Sequence, residues 1–488
     1  MSLALSALLD GVAAAPAGVM VSGMTEDSRR VSAGDLFVAI RGDSADGHAY
    51  VADAVARGAT AVIAERPVAA AGVPVVVVPE LRARRGALAA RLFGHPGERL
   101  YCVGVTGTNG KTSIAHYLAD LATRLGRPAG YLGTIGWGRV GGLQPSRLTT
   151  EDPITIQARL AALAAGGCRW AVMEASSHAL AQDRVREVPF RAAVFSNLTR
   201  DHLDYHADQK AYAAAKARLF VWPGLELAVV NVDDAFGREL RDMLADGVRC
   251  IAYGRSRDAE VSWGELAFAS GVARGTWRTP WGEAPLRLPV QAEFSVANVA
   301  AALAVLCNDG VPLAEAAAAA ETVASVPGRV ERFERAGAPA VVVDYAHTPD
   351  ALEKVLTALR PGTRGRLICV FGCGGDRDAG KRPLMAAAAE RHADALWLTS
   401  DNPRSEDPLR IIDDMMAGLQ GRVPALVEAD RAAAIAAAIR DAAEGDVVVV
   451  AGKGHEDYQE IGGQRRPFSD RLLVAELLQT PSRGREVH

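Results

Sequence analysis

The 488-residue chain has little that would tie it to a membrane, a nucleic acid or an oxidising compartment. No apolar run approaches the roughly 20 residues that span a bilayer. The first twenty residues are mildly apolar but lack the basic start of an export signal. Lysine and arginine (54) nearly balance aspartate and glutamate (58), so at a net charge of −4 there is no overall basic field and nucleic acid is not a favoured partner. Six cysteines, at 102, 168, 250, 307, 369 and 373, show no CxxC spacing, which favours buried reduced thiols over a disulfide framework. Even Cys369 and Cys373, the nearest pair, fall short of a tetrahedral metal site. There is no sequence repeat, and no low-complexity segment beyond a richness in alanine. A cytoplasmic protein with no membrane partner is the expectation.

What the chain does contain is an ordinary globular balance, 49% hydrophobic and 23% charged. Its length suggests about three domains at roughly 150 residues each. Two turn-rich places, "GHPGER" at 94–99 and "SVPGRVERF" at 325–333, divide it into residues 1–97, 98–327 and 328–488. The first part carries the apolar runs "DLFVAI" and "VPVVVV" around a helical "VADAVARG". The middle alternates strands ("WAVMEA", "AAVFSN", "LAVVN") with helical patterns, which implies a mainly parallel sheet. The last repeats the rhythm, with "AVVVDYAH", "RLICVFG", "ALWLTSD" and "DVVVVAGKG" each followed by a helix-like segment, as in a doubly wound fold. The expected fold class is therefore α/β in three domains: a central phosphate-loop ATPase-type parallel sheet domain, a Rossmann-like C-terminal domain and a smaller N-terminal one. Ligands of such sheets gather beyond the carboxyl ends of strands, where Asp344–His347, Gly372–Lys381, Asp401–Arg404 and Gly452–Glu456 fall.

The sharpest local signal is "YCVGVTGTNGKTS" at 101–113, a short apolar strand that breaks into Gly107-Thr108-Asn109-Gly110-Lys111-Thr112 before an alanine-rich helix. Such a turn aims backbone N–H groups and a helix N-terminus at one point, where phosphate is stabilised. In the general phosphate-loop pattern the lysine reaches the β/γ-phosphates of ATP and the next hydroxyl ligates Mg²⁺, roles that fall to Lys111 and Thr112. The match is incomplete, because Val105 stands where that pattern has glycine. The competing interpretation is a glycine-rich turn with a solvated lysine.

Other residues complete a nucleotide site. Glu174 ends "WAVME" and is placed like the acidic residue that holds Mg²⁺ in phosphate-loop folds. "FSNLTRDHLDYH" concentrates Asp201, His202, Asp204 and His206, which points to a second cation site. Composition alone makes Lys216, in "YAAAKARLF", a solvated surface lysine.

Nine ordered motifs, "TGTNGKT", "EASSHAL", "SNLTRDHLDYH", "AKARLF", "VPGRVERF", "VDYAHTPDALE", "FGCGGDRDAGKRPLM", "TSDNPRSEDP" and "GKGHEDYQ", together resemble the Mur ligase family, and within it the branch that adds the third peptide residue to UDP-N-acetylmuramoyl-L-alanyl-D-glutamate. The resemblance spans almost the whole chain. It implies an ATP-dependent amide ligation in peptidoglycan precursor synthesis, with a carboxylate activated as an acyl phosphate, release of ADP and phosphate, and a monomeric enzyme. The related folate-chain ligases share the loop, but "DNPR" and "GHEDYQ" are not expected in them.

Residue by residue, the resemblance makes Lys111, Glu174, His202 and Lys216 catalytic. Thr112 and Glu174 hold one Mg²⁺; His202 and Lys216 serve a second, with Lys216 carbamylated to an N6-carboxylysine, a change that burial favours by favouring the neutral amine. ATP is met by the loop 107–112 and by Asn298, Arg329 and Asp344, while Ser295 stands where the family commonly has asparagine. Ser28 resembles a uridine-side contact, and Thr149, Thr150, Ser176, Gln182 and Arg184 contacts to the muramoyl-peptide. The "DNPR" form implies meso-2,6-diaminopimelate as the added residue: Arg404 for its distal carboxylate, Asp401, Asn402, Gly452 and Glu456 for the neighbouring ammonium, and Arg377 for the other carboxylate. Two alternatives stay open, a lysine-adding ligase of the same family and a phosphate-loop ATPase switch.

Overall fold

The computed structural model describes residues 2–42, 45–70, 72–202, 205–269 and 271–479. The chain gathers into two compact units, Met1–Leu198 with Tyr205–Ala252, and Thr199–Asp204 with Tyr253–His488.

In the first unit, β1 (Gly23–Thr25), β2 (Asp35–Ala39), β3 (Ala61–Ala64) and β4 (Val75–Val77) form a parallel sheet in that order. Alternate side chains feed its two faces: Leu36, Val38 and Ile63 on one, Phe37, Ala39 and Val62 on the other. A second sheet has seven strands, β5 (Tyr101–Thr106), β6 (Ala129–Gly133), β7 (Gly136–Gly138), β8 (Trp170–Glu174), β9 (Phe190–Phe195), β10 (Leu227–Asn231) and β11 (Arg249–Tyr253), ordered β11-β10-β9-β5-β8-β6-β7. β5 lies parallel between β8 and β9, with Glu174 opposite Val105 and Phe195 opposite Thr106. Three carboxyl ends therefore stand side by side. Around them run α1 (Leu81–Leu92), α2 (Lys111–Arg124), α3 (Pro153–Ala165) and α4 (Gln209–Ala217). Asp152 caps α3 by accepting from the N–H groups of Ile154 and Thr155, and α3 delivers Ile154 to the core beneath the first sheet.

The second unit begins with an antiparallel sheet, β12 (Ser262–Trp263), β13 (Ala267–Ala269), β14 (Val272–Thr279) and β15 (Gly282–Leu288), followed by the buried α5 (Glu293–Asn308). A six-stranded sheet follows, built from β16 (Glu331–Phe333), β17 (Ala340–Asp344), β18 (Leu367–Phe371), β19 (Ala395–Leu398), β20 (Ala425–Val427) and β21 (Val447–Ala451), ordered β16-β17-β21-β18-β19-β20. Only β16, at one edge, is antiparallel. The valine-rich runs feed both faces, Val341, Val343, Val448 and Val450 to one and Val342, Val447 and Val449 to the other.

The apolar runs taken as strands are strands. Three features differ from the sequence reading. The strands within 262–269 and 272–288 are antiparallel rather than part of an alternating pattern. "ERF" at 331–333 is a strand rather than a hinge. β21 is followed by a hairpin, β22 (Tyr458–Ile461) and β23 (Gln464–Pro467), before the helix that was expected. Its turn is Gly462-Gly463, both at positive φ (58° and 73°), the backbone a two-residue hairpin requires. The cysteines are all free, as expected; Cys373 is buried, and burial pushes its thiol up to about 12.

Candidate active site

Loop 107–110 joins β5 to α2. A Cβ on Gly107, where φ is +142°, would stand 1.9 Å from Ser196 Oγ, so only glycine fits. The exit of β9 braces the loop: Thr108 N–H donates to Asn197 O (2.7 Å), Asn109 N–H to Asn197 Oδ1 (3.0 Å) and Asn197 Nδ2 to Asn109 O (3.1 Å). Lys111 opens α2, and its Nζ donates to the carbonyls of Gly107 (3.0 Å) and Thr108 (2.9 Å). Lys216 Nζ, from α4, donates to the same Gly107 oxygen at 2.8 Å. Two ammonium groups thus converge at the N-terminus of a 14-residue helix, which concentrates positive potential at one point.

Lys216 is fully buried, its Nζ 4.2 Å from the Tyr212 ring centroid, so the solvated surface lysine that composition favoured is excluded. Beside it, Tyr212 OH meets Thr108 Oγ1 at 3.1 Å.

Thr112 Oγ1 donates to Glu174 Oε2 at 3.0 Å across the adjoining strand ends. Glu174 is fully buried and also accepts from Tyr131 OH (2.5 Å), Thr134 N–H (2.8 Å) and Thr134 Oγ1 (3.1 Å). From there a continuous chain of hydrogen bonds gathers the candidate muramoyl-peptide contacts. Thr134 Oγ1, its proton given to Glu174, accepts from Thr149 Oγ1 (3.0 Å), Thr150 Oγ1 donates to Glu174 O (2.7 Å) and accepts from Ser176 N–H (3.1 Å), and Arg184 donates to Thr150 O (2.9 Å) and Gln182 Oε1 (2.8 Å). Burial lowers the pKa of Arg184, and the nearby Arg85 adds to that shift. An anionic substrate group would be stabilised there. Ser28 is buried in a short turn, bonded to Asp53. Asp27 caps that turn; its hydrogen bonds from Arg29, then from Arg147 in the second sheet's domain, hold its carboxyl well below the usual range.

Among the described residues, the acidic and histidine-rich segment forms no cation cluster. His202, at φ 54°, is partly exposed beside Asp201 (3.5 Å). His206 turns inward instead, its Nε2 3.0 Å from Ser177 Oγ and its ring packed against Tyr212. Asp204 lies outside the described residues. Among the described residues no three His, Cys, Asp or Glu side chains converge as a metal site. The Thr112–Glu174 pair does present hard oxygen donors of the kind Mg²⁺ takes.

In the second unit, Asp344 ends β17 and accepts from the N–H groups of Val330 (2.7 Å) and Ala346 (2.8 Å). Burial raises its pKa, opposed first by Arg329, whose guanidinium stacks 4.3 Å from the Tyr345 ring centroid. Asn298 is buried in α5, with Ser295 less than one turn before it. Gly452 N–H donates to Asp344 O at 3.1 Å, which ties β21's exit to β17's.

The remaining candidates meet around that exit. Asn402 Nδ2 donates to Glu456 Oε2 (2.9 Å), and Lys453 Nζ, fully buried, donates to both Asn402 Oδ1 (3.1 Å) and Glu456 Oε2 (2.8 Å). Arg404 Nη1 donates to Gly375 O at 2.6 Å, and Arg377 is exposed on the same 372–380 loop. The sequence reading missed Lys453, although it sits inside "GKGHEDYQ". It also missed Arg431, which no motif signals. Arg431 is fully buried, pairs with Asp470 through two bonds (2.8 and 2.7 Å) and donates to the carbonyls of Ala451 (2.9 Å) and Ser400 (3.3 Å), joining the strand ends that carry Gly452 and Asp401.

Comparison with known proteins matches three successive segments: the Mur ligase family, catalytic domain, at residues 20–92, the Mur ligase middle domain at 105–306, and the Mur ligase, glutamate ligase domain at 328–454. A relative from Ectopseudomonas mendocina (strain ymp), named UDP-N-acetylmuramoyl-L-alanyl-D-glutamate--2,6-diaminopimelate ligase, is 48% identical over 470 residues, covering 95% of this chain and 96% of its own. A solved structure of a ligase of that name is 36% identical, covers 98% of this chain and 99% of its own, and superimposes with a TM-score of 0.69. MurF from Acinetobacter baumannii, at 19% identity, shares the fold with a TM-score of 0.73 over 98% of this chain and 99% of its own. With all three domains present in order and nearly half the residues shared with a full-length relative, this chain belongs to the Mur ligase family.

Proposed function

We propose that this chain is the ATP-dependent ligase that joins meso-2,6-diaminopimelate to UDP-N-acetylmuramoyl-L-alanyl-D-glutamate, giving the UDP-muramoyl-tripeptide, ADP and phosphate in peptidoglycan precursor synthesis. The observation that carries this reading is the 48% identity, over nearly both full lengths, to a ligase of that name. The domain boundaries that accompany it are 1–97, 98–327 and 328–488, and the cytoplasm is its place of action. No helix among the described residues is long and apolar enough to cross a membrane.

A carboxylate is a poor acyl donor, so the D-glutamyl carboxylate first takes the γ-phosphoryl group, releasing ADP. The amine then attacks the acyl carbon, phosphate leaves and the nitrogen sheds a proton. Lys111 trades the carbonyls of Gly107 and Thr108 for phosphate oxygens and stabilises the charge on the group in transfer. Thr112 and Glu174 would hold a Mg²⁺ ion, with His202 and Lys216 serving a second; when bound, the metal balances charge on the phosphate oxygens. Lys216 suits carbamylation because it is buried: its neutral amine attacks carbon dioxide, a C–N bond forms, a proton leaves, and an oxygen ligand replaces a cation.

The ribonucleotide end of the UDP-substrate falls to Ser28. Thr149, Thr150, Ser176, Gln182 and Arg184 hold the muramoyl-peptide, and Asn298, Arg329 and Asp344 the adenosine. Asp401, Asn402, Gly452 and Glu456 take the ammonium of diaminopimelate, Arg404 its distal carboxylate and Arg377 the other. The direct test is ADP release by the purified protein with the UDP-muramoyl-dipeptide, with and without diaminopimelate. Release only when both are present supports the ligase. Equal release without the amine makes the chain an ATPase switch and overturns the reading.

A further inference from the structure

The segment Asp401-Asn402-Pro403-Arg404 does not shape itself. It lies along the first strand of the hairpin β22–β23, and four hydrogen bonds fasten it there. Gln459 Nε2, from a buried side chain, donates to Asp401 O (2.8 Å). Glu460 N–H donates to Asn402 Oδ1 (2.9 Å), while Glu460 O accepts from Arg404 N–H (2.9 Å). Gly462 N–H donates to Arg404 O at 2.7 Å, and Arg404 forms a parallel bridge with Ile461.

Two consequences follow for the side chains that the proposed function assigns to the amino acid. Asn402 Oδ1 accepts from both Glu460 N–H and Lys453 Nζ, which fixes the amide so that Nδ2 faces Glu456. Arg404 sits at φ 53°, a conformation that costs a non-glycine residue free energy, and the hairpin bonds both its N–H and its C=O. The guanidinium then has only a short reach from a fixed root to Gly375 O (2.6 Å) and to the Glu460 carboxylate (4.0 Å).

We propose that the hairpin Tyr458–Pro467 is a positioning element for amino-acid selection: by gripping the backbone on both sides of Arg404 and the amide of Asn402, it sets where the distal carboxylate and the ammonium are read. The residues that act are Gln459, through its amide, and Gly462, through its N–H. Neither is assigned a contact with substrate. The inference rests on the assignment of Arg404 to the distal carboxylate.

The test compares Gly462→Pro, which deletes the N–H bonded to Arg404 O and also opens the hairpin turn because proline cannot adopt φ 58°, with Gly462→Asn, which keeps both. Asparagine tolerates the left-handed backbone, and nothing lies within 4 Å of a Cβ built at this position. Gln459→Ala removes the other bond without touching the backbone. Steady-state kinetics on the full-length protein, with diaminopimelate and with lysine, should show the KM for diaminopimelate raised about 10-fold or more in Gly462→Pro and Gln459→Ala. Their preference over lysine should fall by a similar factor, with the KM for ATP within about 2-fold, and Gly462→Asn should retain the wild-type preference. A shift in the KM for ATP equal to that for diaminopimelate would mean general damage and overturn the proposal, as would an undiminished preference in Gln459→Ala. Arg404→Ala, run alongside, separates the two failures. If it keeps the preference, the assignment of Arg404 falls; if it loses the preference while the hairpin variants keep it, only the positioning role falls.

Discussion

The phosphate loop and the proposed amino-acid pocket hold their cations by different means. In the first unit Lys111 and Lys216 both donate to a backbone carbonyl, Gly107 O. In the second, Lys453 is held by the side chains of Asn402 and Glu456, and Arg431 by the carboxylate of Asp470. Under the proposed function, an incoming phosphate would compete with Gly107 O for both lysines, as a charged oxygen is a stronger partner for an ammonium than a neutral carbonyl. The pocket's buried cations already have anionic partners. They fix Asn402, Ser400 and Ala451, and the proposed function leaves recognition to Arg404 and Glu456.

Substitutions should separate the two regions in order of effect. At the loop, Lys111→Ala should lower turnover by about 10² or more with the protein still folded, because the lost interaction is strongest in the transition state. Lys216→Ala should be nearly inactive too, and short-chain carboxylates should partly restore it if a carbamate is what was lost. Full activity in the Lys216 variant would show that its burial serves the fold alone.

In the pocket, removing one partner of the paired cations should appear as lost stability. Asp470→Asn strands Arg431 in a fully buried position, at about 3–5 kcal/mol. Denaturant unfolding checks this, and a change below about 1 kcal/mol would show that the carbonyls of Ala451 and Ser400 suffice to hold the guanidinium.

The smallest effect sharpens the comparison by pH. His116, in α2, is buried with no hydrogen-bond partner for Nδ1 among the described residues, and burial lowers its pKa from 6.5 to about 4. Between those values the unfolded chain takes up a proton that the native one refuses, so stability falls as pH drops from 6.5 towards 4. At pH 5 the loss is about 2 kcal/mol, and His116→Phe should remove that part of the pH dependence. Thermal unfolding from pH 7 to 5 measures it. An unchanged slope in the variant would place the proton uptake elsewhere.

The same contrast explains what was legible in the sequence. The phosphate loop is contiguous, and its glycines, Lys111 and Thr112 act within six residues of one another, so local pattern was enough. Glu174 was placed because it ends a recognisable apolar strand. The amino-acid pocket joins residues from three strand exits and a hairpin, and only quoted motifs marked it. Lys453 and Gln459 stood inside one of those motifs, yet periodicity could not say that they point inward. The bond between Arg431 and Asp470 spans 39 residues with no local signal at either end. His206 shows what sequence proximity leaves open: its ring packs against Tyr212 and its Nε2 meets Ser177 Oγ, contacts that no local pattern announces.

One measurement bears most directly on the account: kcat/KM for meso-diaminopimelate and for lysine, in wild type and in Arg404→Ala. Lysine lacks the distal carboxylate and leaves Arg404 desolvated without its anion, a cost of roughly 2–5 kcal/mol, or about 30- to 4,000-fold in specificity. The account predicts a wild-type preference of that order. It also predicts a fall of comparable size for diaminopimelate in the variant, with lysine losing far less and the KM for ATP moving little. Equal use of the two amines by the wild type, or a preference that survives in Arg404→Ala, would contradict it.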